Sequence, residues 1–204
     1  MAKRVNLTRP ELKKQRDALS RFSRFLPMLK LKQQLLQVAM GKVDSELQGV
    51  QEKLTSLEEQ FKSYSAIVRE CSGINLAKVA VPSEVKVGYE NIAGAEVPYF
   101  DKVNFPPLEY DFFTTPVWVD GAIRDLRQFS ALYAAEDVLR KRNEILKKEL
   151  SRTLQRVNLF EKVKIPEAQE IIRKIRIKLG DEMAAAVARA KAAKAKVTQR
   201  VDND

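Results

Sequence analysis

The sequence predicts an all-α protein: a long antiparallel two-helix coiled coil with a small central β-hairpin insert. Three observations predict it. Apolar residues recur at alternating steps of three and four through both ends of the chain. Prolines and β-forming residues concentrate in the middle. Glycine numbers only 7 in 204 residues while charged residues make up 31%, which suits extended helix better than a compact α/β fold.

The first helix is expected within residues 1–72. Leu12, Leu19, Phe22, Leu26, Leu29, Leu36, Met40, Val43, Leu47, Val50, Leu54, Leu57, Phe61, Tyr64, Val68 and Cys71 form one stripe, with polar Gln15 and Gln33 at the two skipped positions. This is the a/d seam of a heptad repeat. A helix over residues 10–72 would be roughly 90 Å long at 1.5 Å per residue. Thr8 is the expected N-cap, with Pro10 and Glu11 in the first turn, where each is favoured. Pro27 lies inside the stripe without breaking its phase, so a kink is expected there and not a terminus.

The insert is expected at 73–117, where Pro82, Pro98, Pro106, Pro107 and Pro116 fall. VKVGYENI and AEVPYF read as two short strands joined through Gly94. Pro98 places the second at an edge or ends it early. The insert is too small for a nucleotide-binding domain.

The second helix is expected at 118–197, followed by a fraying tail at 198–204. Phe129, Leu132, Leu139, Leu146, Leu150, Val157 and Phe160 keep one register. Ile165, Ala168, Ile172, Ile175, Leu179 and Ala186 continue in another, so a kink or stutter is expected near Pro166. Two such helices in one chain, with seams too apolar to stay exposed, fold back on each other. Parallel pairing of two copies, with the insert as a lateral knob, is the alternative.

Catalysis finds little support. The chain has no histidine and one cysteine, Cys71, which excludes an internal disulfide, disfavours zinc and removes the usual general base. No GxxxxGK[ST], GxGxxG, CxxC or HExxH pattern occurs. Glu58–Glu59 reads as a solvated helix face, Cys71 as a small seam hydrophobe and Trp118 as a packing anchor at the insert–helix junction. No catalytic residue, cofactor or metal site is expected. MAKRVNLTRPEL has no signal-peptide core, and no run approaches the ~18 apolar residues of a membrane span. A cytoplasmic location, at most peripheral to a membrane, follows.

Net charge is +10, so acidic surfaces attract the chain. Lys3, Arg4, Arg9, Lys13, Lys14, Arg16, Arg21 and Arg24 crowd one end, and Arg189, Lys191, Lys194 and Lys196 the other. Antiparallel pairing would gather these ends into one basic tip. MAAAVARAKAAKAK makes that tip slim. Three readings stand for it: soluble helix formers with no further role, a plug for a socket in another protein, or a nucleic-acid contact, against which no aromatic stacking residue is present.

Three segments resemble one family. VNLTRPEL at 5–12, with Asn6 and Leu12, resembles the opening of the D subunit of V-type and archaeal A-type ATPases. IAGAEVPYF at 92–100, with Gly94 and Pro98, resembles that family's central segment. RVNLFEKVKIP at 156–166, with Arg156, Asn158 and Pro166 and followed by Ile172, resembles its C-terminal signature. Leu7, and the alanine-rich tail, depart from the family pattern.

The resemblance implies a non-catalytic central-stalk subunit, the rotor shaft, transmitting torque between a nucleotide-binding ring and a membrane ion-translocating ring. It implies as partners the catalytic and regulatory nucleotide-binding ring subunits, a small F-like stalk subunit and an adaptor above the membrane ring, with no nucleic acid and no membrane insertion. Thr8, Arg9, Lys13, Arg189, Lys191, Lys194 and Lys196 become candidate ring contacts. A prefoldin-like chaperone subunit and a cytosolic coiled-coil scaffold are the competing readings.

Overall fold

The computed structural model describes residues 6–68, 79–107 and 116–201. In chain order these form α1 (Arg9–Val68), β1 (Glu84–Ile92), β2 (Ala95–Asn104), α2 (Trp118–Asn158), a π-helical segment (Leu159–Lys164) and α3 (Ile165–Val201). The fold is two long helical arms with a two-stranded antiparallel sheet between them in sequence. It divides into two compact units, residues 1–31 with 153–204 and residues 32–152. Cys71 lies outside the described residues, as do the side chains of Tyr64 and Val68.

Alpha-helix α1 begins one residue after Thr8, whose carbonyl accepts the Leu12 N–H at 3.0 Å. Glu11 in the first turn accepts from Gln15 Nε2 at 2.8 Å. The helix passes Pro27, which is exposed, without interruption. Every predicted α1 seam residue from Leu12 to Phe61 is buried or half-buried, Gln15 and Gln33 included. Off the seam, α1 leaves Phe25, Met28, Leu31, Leu35 and Val38 exposed.

In the unit of 1–31 and 153–204, α1 pairs with the chain's last helical stretch. Phe22 meets Phe160 with ring centroids 5.2 Å apart. Lys30 Nζ reaches Glu161 at 2.7 Å. Val157, Ala168, Ile172 and Ile175 are buried. The register change expected near Pro166 takes a definite form here. Pro166 has no N–H to give to the residue four back, and the preceding turn widens to π geometry, with the Ile165 N–H bonded to the Phe160 carbonyl. A π-bulge inserts one residue, so the seam that runs through Val157 and Phe160 resumes one position late, at Ile165 and Ala168.

In the unit of 32–152, the hairpin packs onto the paired helices. Leu36 and Val43 of α1, Leu139 and Leu146 of α2, and Ala95 and Val97 of β2 form one buried cluster. The turn is the two-residue kind. Ala93 (φ 51°) and Gly94 (φ 81°) both have positive φ, the type I′ geometry that matches strand twist. Asn91 Oδ1 accepts the Gly94 N–H at 2.8 Å. Ala95 and Val97 point into the cluster, while Val85, Val87 and Tyr89 stay exposed. β2 does not end at Pro98 but continues to Asn104, past a bulge between Lys86 and Val87 on β1. In a two-stranded ribbon every second N–H of a strand faces outward, where a proline removes no ladder bond. Arg127 of α2 ties down both flanks of the hairpin: it donates to the carbonyls of Val79 and Pro106 and lies over the Phe105 ring.

Among the described residues, three buried ones are polar: Glu136, Asn143 and Thr153. All occupy three–four positions that the apolar α2 stripe skips. Glu136 accepts from Gln51 Nε2 across the seam at 3.2 Å and from Arg140 one turn on at 2.7 Å. The Gln51 hydrogen bond first, then that from Arg140, holds its carboxyl below the ordinary carboxylate value. A depressed folded value stabilises the fold at pH above the ordinary carboxylate range. That contribution is lost as pH falls through the depressed value. Glu136→Gln is therefore expected to be less stable than the parent at neutral pH, with the gap closing as acid is added. Denaturant titrations at stepped pH check this, and a gap that stays constant or widens in acid contradicts it.

Candidate interaction surface

Nothing among the described residues forms a group of three or more His, Cys, Asp or Glu able to hold a metal ion. No helix among them is long and apolar enough to cross a membrane. The chemistry the surface offers is charge and shape.

The basic end belongs to the unit of 1–31 and 153–204. Asn6, Thr8, Arg9 and Lys13 are exposed at the start of α1, and Leu12 turns its half-buried side chain inward. On α3 the seam fades in order: Ile175 is fully buried, Leu179 half-buried, and every residue from Gly180 to Lys196 exposed. Ala186, expected to extend the seam, is exposed with the rest. From Gly180 to Lys196, α3 thus presents an exposed helix surface on all sides. Arg189, Lys191, Lys194 and Lys196 stand on it among alanines, with no carboxylate between the first and the last. α3 continues to Val201, into the segment expected to fray.

Beside this end, α1 and α3 enclose an open groove of about 640 Å³. Leu19, Ile172 and Ile177 give it an apolar floor, and Arg16, Arg173 and Arg176 surround it. No carboxylate lines it. Lys174 and Lys178 nearby are closed onto Glu170 and Glu182 at 2.7 and 3.6 Å. The three arginines make no ion pair among the described residues. Arg173 and Arg176 were not singled out from sequence. They follow Ile172 and Ile175 by one residue each, so the seam itself places them at its rim.

The family-like positions do not converge on one site. Arg156 and Asn158 are exposed at the end of α2, Pro166 is exposed just past the π segment, and Ile172 is in the core. Gly94 and Pro98 belong to the other unit, one at the turn tip and the other buried in β2. Three of them have a conformational or packing feature: the positive φ of Gly94, the missing N–H of Pro166 and the buried side chain of Ile172.

Comparison with known proteins identifies a family. The profile of the family described as the D subunit of ATP synthase matches residues 11–195. A protein of Borreliella burgdorferi named as the D subunit of a V-type ATP synthase is 36% identical over 200 residues, spanning 98% of each chain. Proteins of the same name from Chlamydia felis and Chlamydia trachomatis are 34% and 33% identical, over 98% of this chain and 97% and 98% of theirs.

Proposed function

Because this chain belongs to the family of ATP synthase D subunits, and so is a stalk subunit of a rotary V-type ATPase, we propose that it is the non-catalytic rotor shaft of that complex. It transmits torque between the nucleotide-binding ring and the membrane ion-translocating ring. The observation that carries this reading is a paired-helix seam that gives way to an exposed, slim, basic helix end. Paired helices resist bending and twisting better than one. A shaft that is not symmetric about its axis presents different faces to otherwise equivalent nucleotide sites and holds each in a different state. The coupling is reciprocal: turning the shaft shifts site affinities, and site chemistry turns the shaft.

The partners on this reading are the catalytic and regulatory ring subunits around the basic end. A small F-like stalk subunit and an adaptor above the membrane ring are the others. The location is the cytoplasmic side, peripheral to the membrane. Small residues from Ala184 to Ala195 keep any one angle from being trapped too deeply. Thr8, Arg9, Lys13, Arg189, Lys191, Lys194 and Lys196 face the ring.

The test is recovery of the tagged full chain from its own cells, with mass spectrometry and an ATPase assay of what accompanies it. Ring subunits with ATPase activity are expected, and the purified chain alone should hydrolyse nothing. Recovery of unfolded clients, as for a prefoldin-like subunit, or of nucleic acid without ring subunits, overturns the proposal.

A further inference from the structure

Two polar pairs cross the helix seam of the 32–152 unit. Asn143 Nδ2 donates to Asp44 Oδ1 at 2.6 Å, and Gln51 Nε2 donates to Glu136 Oε1 at 3.2 Å. Asn143 and Glu136 are 8% and 6% exposed. Asp44 and Gln51 flank the α1 seam from the exposed side. On each helix the two members stand seven residues apart, in opposite chain order. Both pairs therefore belong to one antiparallel register, one heptad apart.

These residues do not maximise stability. A buried polar side chain at a seam position stabilises less than leucine there. Asn143 also leaves its Oδ1 buried without a partner. Its amide orientation is set by chemistry, since only the NH₂ end can face a carboxylate. What such groups provide is discrimination between alignments. We infer that Asp44–Asn143 and Gln51–Glu136 are register pins, which select this alignment of the helices over the neighbouring ones.

The apolar seam alone discriminates poorly, because a slip of one heptad puts apolar residues opposite apolar residues again. The pins respond to both directions of slip. One direction sets Asp44 against Glu136, two carboxylates, and sets Gln51 against Phe129. The other sets Asp44 against Leu150 and Glu58 against Glu136, again two carboxylates. Either way Asn143 exchanges its carboxylate acceptor for an amide, Gln37 or Gln51, and the buried Glu136 exchanges Gln51 for a second carboxylate. Leucines at these positions would carry no such memory of register.

A distance measurement tests this on the full chain. Spin labels are placed through Lys53→Cys and Lys147→Cys in a Cys71→Ser background; both lysines are exposed. In the observed register they lie about 20 Å apart along the helix axis, and a one-heptad slip changes this to about 10 or about 30 Å. The parent should give one distance. The variant Asp44→Leu, Gln51→Leu, Glu136→Leu, Asn143→Leu should remain helical but show more than one distance, or self-associate. The exchanged pair Asp44→Asn with Asn143→Asp restores a donor and an acceptor and should return a single distance. A folded, monomeric all-leucine variant with the parental single distance overturns the inference. So does an exchanged pair as heterogeneous as the all-leucine chain.

Discussion

Replacing Leu146 by alanine is expected to cost the fold about 2–5 kcal/mol, the range for a leucine cut from a closed core. Leu146 is 0% exposed and lies in the cluster where Leu36 and Val43, Leu139 and the hairpin residues Ala95 and Val97 meet. Three elements wall the hole that alanine would leave. None can close it without dragging another, because the hairpin is fastened by Arg127 to both of its flanks and by Arg142 to Glu90. The comparison is Leu35→Ala. Leu35 is next to a core residue in sequence but 51% exposed, so its loss should register within about 0.5 kcal/mol. Denaturant unfolding followed by circular dichroism separates the two: the midpoint falls for Leu146→Ala with little change in slope. Amide exchange should accelerate at 95–97 as well as along the helices. Equal stability for the two variants would mean that the hairpin does not depend on the helices.

Much of this fold was legible because a seam is a one-dimensional signal. The three–four spacing located the buried face of both helical arms, and the one-residue phase shift before Pro166 recorded the π segment in the sequence itself. The turn was equally legible, since Gly94 between two β-like runs meets the need for positive φ. Less legible was anything set by contact between distant segments. That Ala95 and Val97 face the helices while Val85, Val87 and Tyr89 do not depends on which side of the ribbon lands on α1 and α2. Alternation alone is symmetric between the two sides. Pro98 left two outcomes open, an edge strand or an early end, and the strand takes the first and continues to Asn104. The polar residues Glu136 and Asn143 fall at skipped seam positions, as Gln15 and Gln33 do on α1. The signal was therefore present. Their partners, Asp44 and Gln51, could not be named before the register was known. The Arg16, Arg173 and Arg176 groove needed the same knowledge, because α1 and α3 bring its walls together from opposite ends of the sequence.

Neutralising Lys191, Lys194 and Lys196 together as glutamines should weaken assembly with the ring subunits, on the reading of the basic end as the ring-facing part of a shaft. Glutamine is nearly as good a helix former as lysine, so α3 should keep its helix. All three lysines lie before the last turn of α3, which ends at Val201, so their contact with the helix dipole is slight. What changes is attraction to carboxylates. An exposed ion pair is worth about 0.2–1 kcal/mol, so three of them amount to about 0.6–3 kcal/mol, or a roughly 3- to 150-fold loss of affinity. Salt supplies the discriminating measurement. At physiological ionic strength charges are screened beyond about 8 Å, so the parent's affinity should fall as salt rises while the variant's falls less, and the two should converge at high salt. Lys53→Gln, Lys102→Gln and Lys147→Gln together remove the same net charge from exposed positions of the other unit. Should that set weaken assembly as much, the effect would belong to the chain's overall charge. Equal affinity of the α3 variant and the parent at every salt concentration would remove the cationic end from the bearing, leaving its small side chains as the only feature there suited to a socket.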